Sequence, residues 1–598
     1  MPACPGALPG VPGACVPAVR SVNHTGTSVN PTPKRWRVSP PLSPAVQSRF
    51  HGFHPILAQI LVNRGYADPA EAGAFLSGAI APGDPFRMKG MNEAVSRVRR
   101  AISRREPIVV YGDFDADGVT SAVLLVTALK ALGAVVKPYI PHRVDEGYGL
   151  NVEALDRLKQ DGARLIITVD CGIRSLREVA HGISLGLDMI VTDHHSVGPE
   201  VPECQAVINP KQPGCRYGED MLAGVGVAFK LAEGLLKATR ANDRGAAALN
   251  PEDLLDLVAI GTVADLAPLD RAENRALVMA GLQQIRLARR PGVRALLQAA
   301  GMPPERVDAT AIGFTLGPRI NAAGRLDSAM LAYELLATED VARASELAAE
   351  LQSLNAQRQQ LTREMQDYAR RITGLEPGAD IPLIFVAHPG FAPGIIGLVA
   401  GRLVEEFYRP AIIVHQDDGE SHGSCRSIPE FDITAALDHC ADLLTRHGGH
   451  AQAAGFALPT ANLPAFEARI TSIAAASLEG LTLQPALDID AEVPLQQVDM
   501  ALYDALRQLE PVGQAMRAPI LCTRRLRVIE ARAVGREMAH LKLRLSDGKH
   551  VVNGIAFRFG ALSSHLLEVI DVAYQVELNE WNGSRSIELH VVDIDESR

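Results

Sequence analysis

The chain lacks any CxxC pair: its cysteines stand singly at positions 4, 15, 171, 204, 215, 425, 440 and 522 of 598 residues. That spacing excludes a zinc ribbon and a disulfide framework, and it fits reduced thiols in a cytoplasmic protein. No run of about 18 apolar residues occurs, so no membrane span is expected. A basic excess is missing too. Fifty-nine Lys and Arg against 69 Asp and Glu leave a formal charge of -10, so any nucleic-acid surface must be a local basic groove on an acidic protein. The opening MPACPGALPGVPGACVP has no basic stretch and is interrupted by Pro and Gly, so secretion is not expected.

What is present is ordinary for a folded protein, with 47% hydrophobic and 21% charged residues. At roughly 100 to 200 residues per domain the chain should hold three to five domains and more than one hydrophobic core. Residues 1–35 are rich in Pro, Gly, Ser and Thr and read as a disordered tail. Residues 36–106 carry apolar residues at three- and four-residue steps, as in HPILAQILVNRGY and MNEAVSRVRRAISRRE, and read as helical. From Pro107 short apolar runs (PIVVY, VVKPYI, RLIITV, DMIVT, AVIN) alternate with helical stretches. Buried parallel strands look like this, so a doubly wound α/β domain is expected over 107–335. Within 336–375, the stretch 340–373 has no Gly or Pro and reads as one long connecting helix. A smaller α/β domain follows over 376–482. Alternating segments such as RLRVIEARAVG and HLKLRLSDG then predict a small antiparallel β domain over 483–598.

Carboxylates gather where the strand-like runs end. YGDFDADGVTSA follows PIVVY and brings Asp113, Asp115 and Asp117 to the exit of a parallel strand, where open α/β sheets place their ligands. Like charges so close repel unless cations neutralise them, although an Asp-rich turn capping a helix is the plainer alternative. RLIITVDCG ends on Asp170, MIVTDHHSV on Asp193, His194 and His195, and LVAIGTVADLAPL on Asp265. Carboxylate oxygens with one or two imidazoles favour Mn²⁺ or Mg²⁺ over zinc.

In this order, DFDADG, VDCG, DHH and GTVADLAPL resemble the motifs of the DHH phosphoesterase superfamily, and GSCRS and GGHAQAAGF resemble its DHHA1 substrate-binding domain. The further segments NRGYADPAEAGAFL, LAGVGVAFKL and GPRINAAGRL, with a C-terminal β domain, are similar to its single-strand-specific exonuclease branch. The resemblance implies a two-ion Mn²⁺ or Mg²⁺ site on Asp115, Asp117, Asp170, His194 and Asp265, with Asp170 the bridge. It implies an assisting role for Asp113, and contact of His195 with the scissile phosphate or a ligand.

It further implies 5′ to 3′ hydrolysis of single-stranded DNA to 5′ mononucleotides, in recombination and repair. Arg143, Arg319, Arg325, Ser424, Arg426 and His450 would hold phosphates, a task that suits the planar guanidinium fork. The terminal domain resembles an OB-fold barrel, with Arg524, Arg525, Lys542, Arg544, Phe557, Arg558, Phe559 and Trp581 as candidate contacts. The Phe residues serve equally well as core. A monomer is the default, and single-strand-binding protein and a DNA helicase are the partners implied. A small-nucleotide or oligoribonucleotide phosphoesterase of the same superfamily is the alternative, and a non-catalytic replication scaffold would be expected to have lost ligands.

Overall fold

The computed structural model describes residues 34–79, 83–143, 145–147, 149–240, 249–374, 381–581 and 583–596. The expected disordered tail therefore lies almost wholly outside the described residues.

The segment expected to be helical from residue 36 opens instead with a strand, β1 (Arg35–Val38). It pairs in parallel with a strand of the C-terminal region, and the Trp36 indole donates to Asp593 at 2.7 Å. Partners more than 400 residues away decide its conformation, which local periodicity cannot register. Helices follow from Pro44 to Arg104.

The five apolar runs form the strands β2 (Ile108–Gly112), β3 (Val136–Tyr139), β4 (Leu165–Val169), β5 (Asp188–Thr192) and β6 (Ala206–Ile208). All pair in parallel in the order β3-β2-β4-β5-β6. Both faces are covered, which is why these strands read as continuous hydrophobic runs. Val110, Ile167 and Ile190 pack with Val119 and Val123 of the helix Ala116–Ala131. Val109, Ile166 and Val191 pack on the other side with Leu155 and Val179, from the helices Val152–Gln160 and Leu176–Ser184. The strand order reverses between β2 and β4, and ligands of doubly wound sheets bind outside the carboxyl ends at that crevice.

The expected connector is a single helix, Val341–Thr373. Its first half buries Ala344, Leu347, Ala348 and Leu351 in the core of the large domain, and its last turns bury Met365 and Ala369 in a second core. That second core belongs to a mixed sheet of β7 (Ile384–His388), β8 (Ala411–His415), β9 (Glu420–Arg426), β10 (Arg446–His450) and β11 (Ala453–Pro459), in the order β10-β11-β9-β8-β7. Only β7 and β8 are parallel.

The C-terminal region contains β12 (Ala486–Ile489), which partners β1, and β13 (Ala491–Glu492). Then come β14 (Leu521–Val534), β15 (His540–Ser546), β16 (Val551–Ala556), β17 (Val569–Trp581) and β18 (Ser584–Asp595). These last five close into a barrel, because β14 pairs with both β15 and β17. The barrel is not purely antiparallel as the alternation predicts: β16 and β18 run in parallel. No helix among the described residues is long and apolar enough to cross a membrane.

Candidate metal centre

The acidic residues meet at the crevice where the strand order reverses. Asp113 leaves the end of β2 and Asp170 the end of β4. Asp115 caps the helix Ala116–Ala131, its Oδ1 accepting from the amides of Asp117 and Gly118 at 2.9 and 3.1 Å. The cap that sequence alone offered as the plainer alternative is therefore real, and it coexists with a cluster of acids. Asn321 of the GPRINAAGRL segment adds a second cap, accepting from the Ala116 amide at 2.7 Å. The Asp117 carboxylate is buried and accepts from the amides of Gly224 and Val225 at 2.7 and 2.8 Å.

Three carboxylates converge on one imidazole. His194 Nε2 lies 3.1 Å from Asp170 Oδ1, 3.7 Å from Asp265 Oδ2 and 3.9 Å from Asp117 Oδ2. Ligand atoms group as Asp117, His194 and Asp265, as Asp113, Asp115 and Asp170, and as Asp170, His194 and His195, each set lying within 4.8 Å. Asp170 belongs to two of the sets. Asp113, expected only to assist, stands level with Asp115 and Asp170.

Asp193 behaves differently from its histidine neighbours. Its Oδ1 accepts from the amides of His194 and His195 and lies 2.8 Å from His195 Nδ1, while Oδ2 accepts from the Ile173 amide at 2.9 Å. It shapes the loop and orients a ring. Asn209 adds to this by donating to the His195 carbonyl at 3.0 Å.

The electrostatics show a site built for cations. Burial, then the neighbouring Asp115, pushes Asp117 up to about 7. Burial, then Asp117 and Asp115, pushes Asp265 up to about 9. Asp113 and Asp170 are raised well above the usual carboxylate range by the same causes, burial first. Burial lowers His194 to about 3, so the ring is neutral and able to ligate. Burial opposes protonation of His195 as well, but its hydrogen bond to Asp193 outweighs this and raises it.

Asp113 Oδ1, Asp170 Oδ1 and His194 Nε2 are buried without a hydrogen-bond partner, because the 3.1 Å approach of the last two does not form one. Buried polar atoms are seldom left so. The donor set, carboxylates with one or two imidazoles, fits Mn²⁺ or Mg²⁺. Close-packed glycines keep it tight: a Cβ on Gly224 would stand 2.6 Å from Asp170 Oδ1, and one on Gly261 would stand 2.8 Å from Asp117 Oδ1.

A pH signature follows. Raised carboxylate pKa values stabilise the fold while the groups are protonated, and that contribution is lost as pH rises through about 7 for Asp117 and about 9 for Asp265. Chelated protein should therefore lose stability across this window, and Mn²⁺ should remove the loss by neutralising the cluster. The gap in melting temperature between Mn²⁺-loaded and EDTA-treated protein is expected to widen from pH 5.5 to 8.5. A gap that stays constant would refute this account of the cluster.

The proposed phosphate ligands flank the acids unevenly. Arg143 lies over the Phe114 ring at 4.7 Å, and Asp113 and Asp115 are the charges it feels. Arg325 donates to the Gly394 carbonyl at 2.9 Å, joining the two α/β domains. Ser424 and Arg426 lie on β9 beneath Gly397, where a Cβ would stand 2.9 Å from Ser424 Oγ and 3.4 Å from Arg426 Nη2. Arg319 is held by Thr315 and Gln352. His450 is exposed at the end of β10, in the ladder row of Ala453 and Arg426.

In the barrel, Arg524 is committed to Glu492 and Asp571 at 2.9 and 2.8 Å, and Phe559 is buried core, so neither is a free DNA contact. The Arg525 amide is bonded to Asp571, and the Arg558 amide to His540. Phe557 is exposed between the His540 and His590 rings. Lys542 and Arg544 line an open groove of about 750 Å³ with Arg532, His550 and Asn553. The Trp581 side chain lies outside the described residues.

Comparison with known proteins agrees with this layout. The DHH family N-terminal domain matches residues 107–262, the DHHA1 domain 380–476 and the RecJ OB domain 489–593. The single-stranded-DNA-specific exonuclease RecJ of Bacillus subtilis (strain 168) is 38% identical over 566 residues, covering 94% of this chain and 70% of that protein. The chain belongs to the RecJ family. The RecJ of Escherichia coli (strain K12) is 35% identical over 563 residues, covering 90% of this chain and 96% of its own. The structure of RecJ in complex with Mn²⁺ from Thermus thermophilus superposes with a TM-score of 0.80 at 33% identity, over 94% of this chain and 80% of that one. A Mg²⁺ complex of the same RecJ gives 0.75 at 32% identity, over 94% and 79%.

Proposed function

We propose that this chain is a single-stranded-DNA-specific exonuclease that cuts from the 5′ end and releases 5′ mononucleotides, as part of recombination and repair. The observation that carries the chemistry is the convergence of Asp117, Asp170 and Asp265 on His194, beside Asp113 and Asp115, with three buried ligand atoms unpartnered. Asp115, Asp117, Asp170, His194 and Asp265, with Asp113, would hold two Mn²⁺ or Mg²⁺ ions. Bound there, the ions lower the pKa of a water and stabilise charge on the phosphoryl and leaving oxygens.

The protein's own groups do the rest. Asp193 fixes the His195 ring, so that its other nitrogen can meet a phosphate oxygen at the cluster's edge. Arg143 and Arg325, with Ser424 and Arg426 across the interdomain cleft, grip the terminal phosphate and set its distance from the acids. Backbone contacts of this kind carry no base information, so selection for single strands rests on the width of the cleft. The Lys542 and Arg544 groove of the barrel offers a second hold on the strand. Single-strand-binding protein and a helicase, which present such ends, are the partners this reading favours.

The test is digestion of 5′-labelled and 3′-labelled single strands, beside RNA and blunt duplex, with Mn²⁺, Mg²⁺ or EDTA. The 5′ label should leave first as a mononucleotide, and only with metal. Survival of DNA while short RNA or a dinucleotide is cut would move the chain to the small-substrate phosphoesterases.

A further inference from the structure

The connecting helix Val341–Thr373 packs into two different cores, which its partly buried Leu354 and Leu361 approach from either side of the middle. Between these contacts the helix turns polar side chains inward: Asn355 and Thr362 are buried, and Arg358 lies between them in the chain. Arg358 Nη2 donates to Asn355 Oδ1 at 2.9 Å, which steers the guanidinium, whereas its Nε is buried with no partner. The same helix touches the helix Gly317–Leu326, which carries Arg325, and the helix Ile396–Phe407, which covers Ser424 and Arg426 through Gly397.

We propose that Arg358 is a further phosphate-binding residue, which completes the pocket of Arg143, Arg325, Ser424 and Arg426 and makes the connecting helix part of terminal-phosphate recognition. The inference rests on the exonuclease reading above.

Charge is the first support. Among the described residues no carboxylate pairs with Arg143, Arg325, Arg358 or Arg426, although many arginines elsewhere in the chain have such partners. Burial, then the like charges of Arg143 and Arg358, lowers Arg325 against the pull of Asp115, and Arg358 is itself lowered by burial and by Arg402 and Arg319. Guanidiniums crowded in this way with no carboxylate in direct contact are costly, and a phosphate dianion relieves them together. Position is the second support. A residue on a helix anchored in both domains registers a phosphate only when the cleft between those domains is correctly set.

The experiment uses the Mn²⁺-loaded full chain and 3′-labelled single strands bearing either a 5′-phosphate or a 5′-hydroxyl. Arg358→Met is compared with wild type, with Arg358→Lys and with Arg363→Met, an exposed arginine of the same helix. Loss of one charge-assisted contact to phosphate should raise KM for the 5′-phosphorylated strand on the order of tenfold or more. The 5′-hydroxyl strand and kcat should be unchanged, Arg358→Lys should recover part of the loss, and Arg363→Met should lose nothing. An equal loss on both ends, or no loss, would overturn the proposal. Fluorescence anisotropy of the same two strands with Ca²⁺ in place of Mn²⁺ reads the end preference without cleavage. That measurement still decides Arg358 if wild type proves to digest from the 3′ end and the exonuclease reading falls.

Discussion

Asp170→Asn should abolish nuclease activity and yet leave the metal-free protein as stable as wild type or more so. Asp170 is the carboxylate shared by two of the ligand sets, so its loss should cost on the order of a thousandfold or more in kcat. It is also a buried charge crowded by four other carboxylates. Burial, then Asp117, Asp115, Asp113 and Asp265, raises its pKa well above the carboxylate range. Asparagine keeps the shape and removes the charge. It also suits the backbone, because Asp170 sits at φ +63°, a region that Asn tolerates better than most residues. The Asn amide can donate to His194 Nε2, which now lies unpartnered 3.1 Å from Oδ1.

The expected results are a melting temperature in EDTA at pH 8 equal to or above wild type, a diminished rise on adding Mn²⁺, and no measurable digestion. Asp170→Glu should not rescue activity, because the space for its extra methylene is filled by Gly224. Activity within tenfold of wild type, or a clear loss of stability in EDTA, would show that Asp170 is structural and not the shared ligand.

The acids were legible in the sequence for a definite reason. Each of Asp113, Asp170 and Asp193 follows a short apolar run, and parallel strands covered on both faces give such runs without alternation. Strand ends in a doubly wound sheet lie on one edge, so a linear pattern was enough to gather residues 80 positions apart. What stayed hidden depends on direction and not on type. In Asp193-His194-His195 all three side chains are equally suited to a metal, and only the bonds from Asp193 to its neighbours' amides distinguish the organiser from the ligands. Arg524 looked like a DNA contact because its partners, Glu492 and Asp571, are distant in the chain. Phe557 and Phe559 have the same parity, yet β16 ends at Ala556, so the two-residue period no longer governs them and one is exposed while the other is buried. His388 carries no such linear signal, and only the fold shows its ring set near those of Tyr368 and Phe391.

The barrel is docked through the linker EPVGQAMRAP at 510–519, which rests on Arg275, and Arg275→Met should be the most destabilising single change outside the hydrophobic cores. This side chain is fully buried and has no carboxylate partner among the described residues. Its guanidinium donates instead to five carbonyls: Phe75 in the N-terminal helices, and Gln508, Leu509, Glu510 and Pro511 in the linker. The Phe75 ring lies 4.3 Å from it. Burial lowers its pKa only to about 10, so it remains charged at neutral pH. One residue thus holds three parts of the chain together. The Leu269 amide bond to Gln514, and Asp490 between Arg64 and Arg517, reinforce the same junction.

Methionine fills much of the volume but strands the carbonyls, for a cost of about 3 to 5 kcal/mol. Arg275→Lys, with three donors and no planar fork, should recover only a part. Because Arg275 bonds to none of the acids, digestion of a short oligonucleotide should persist at moderate temperature, while long strands that need the barrel's groove should be released early. Limited proteolysis should find the variant cut within residues 508–519 at temperatures where wild type resists. A linker that stays protected, with an unchanged melting temperature, would mean that the barrel is held chiefly by β1 and β12 and by Asp490, and that Arg275 is not the clamp.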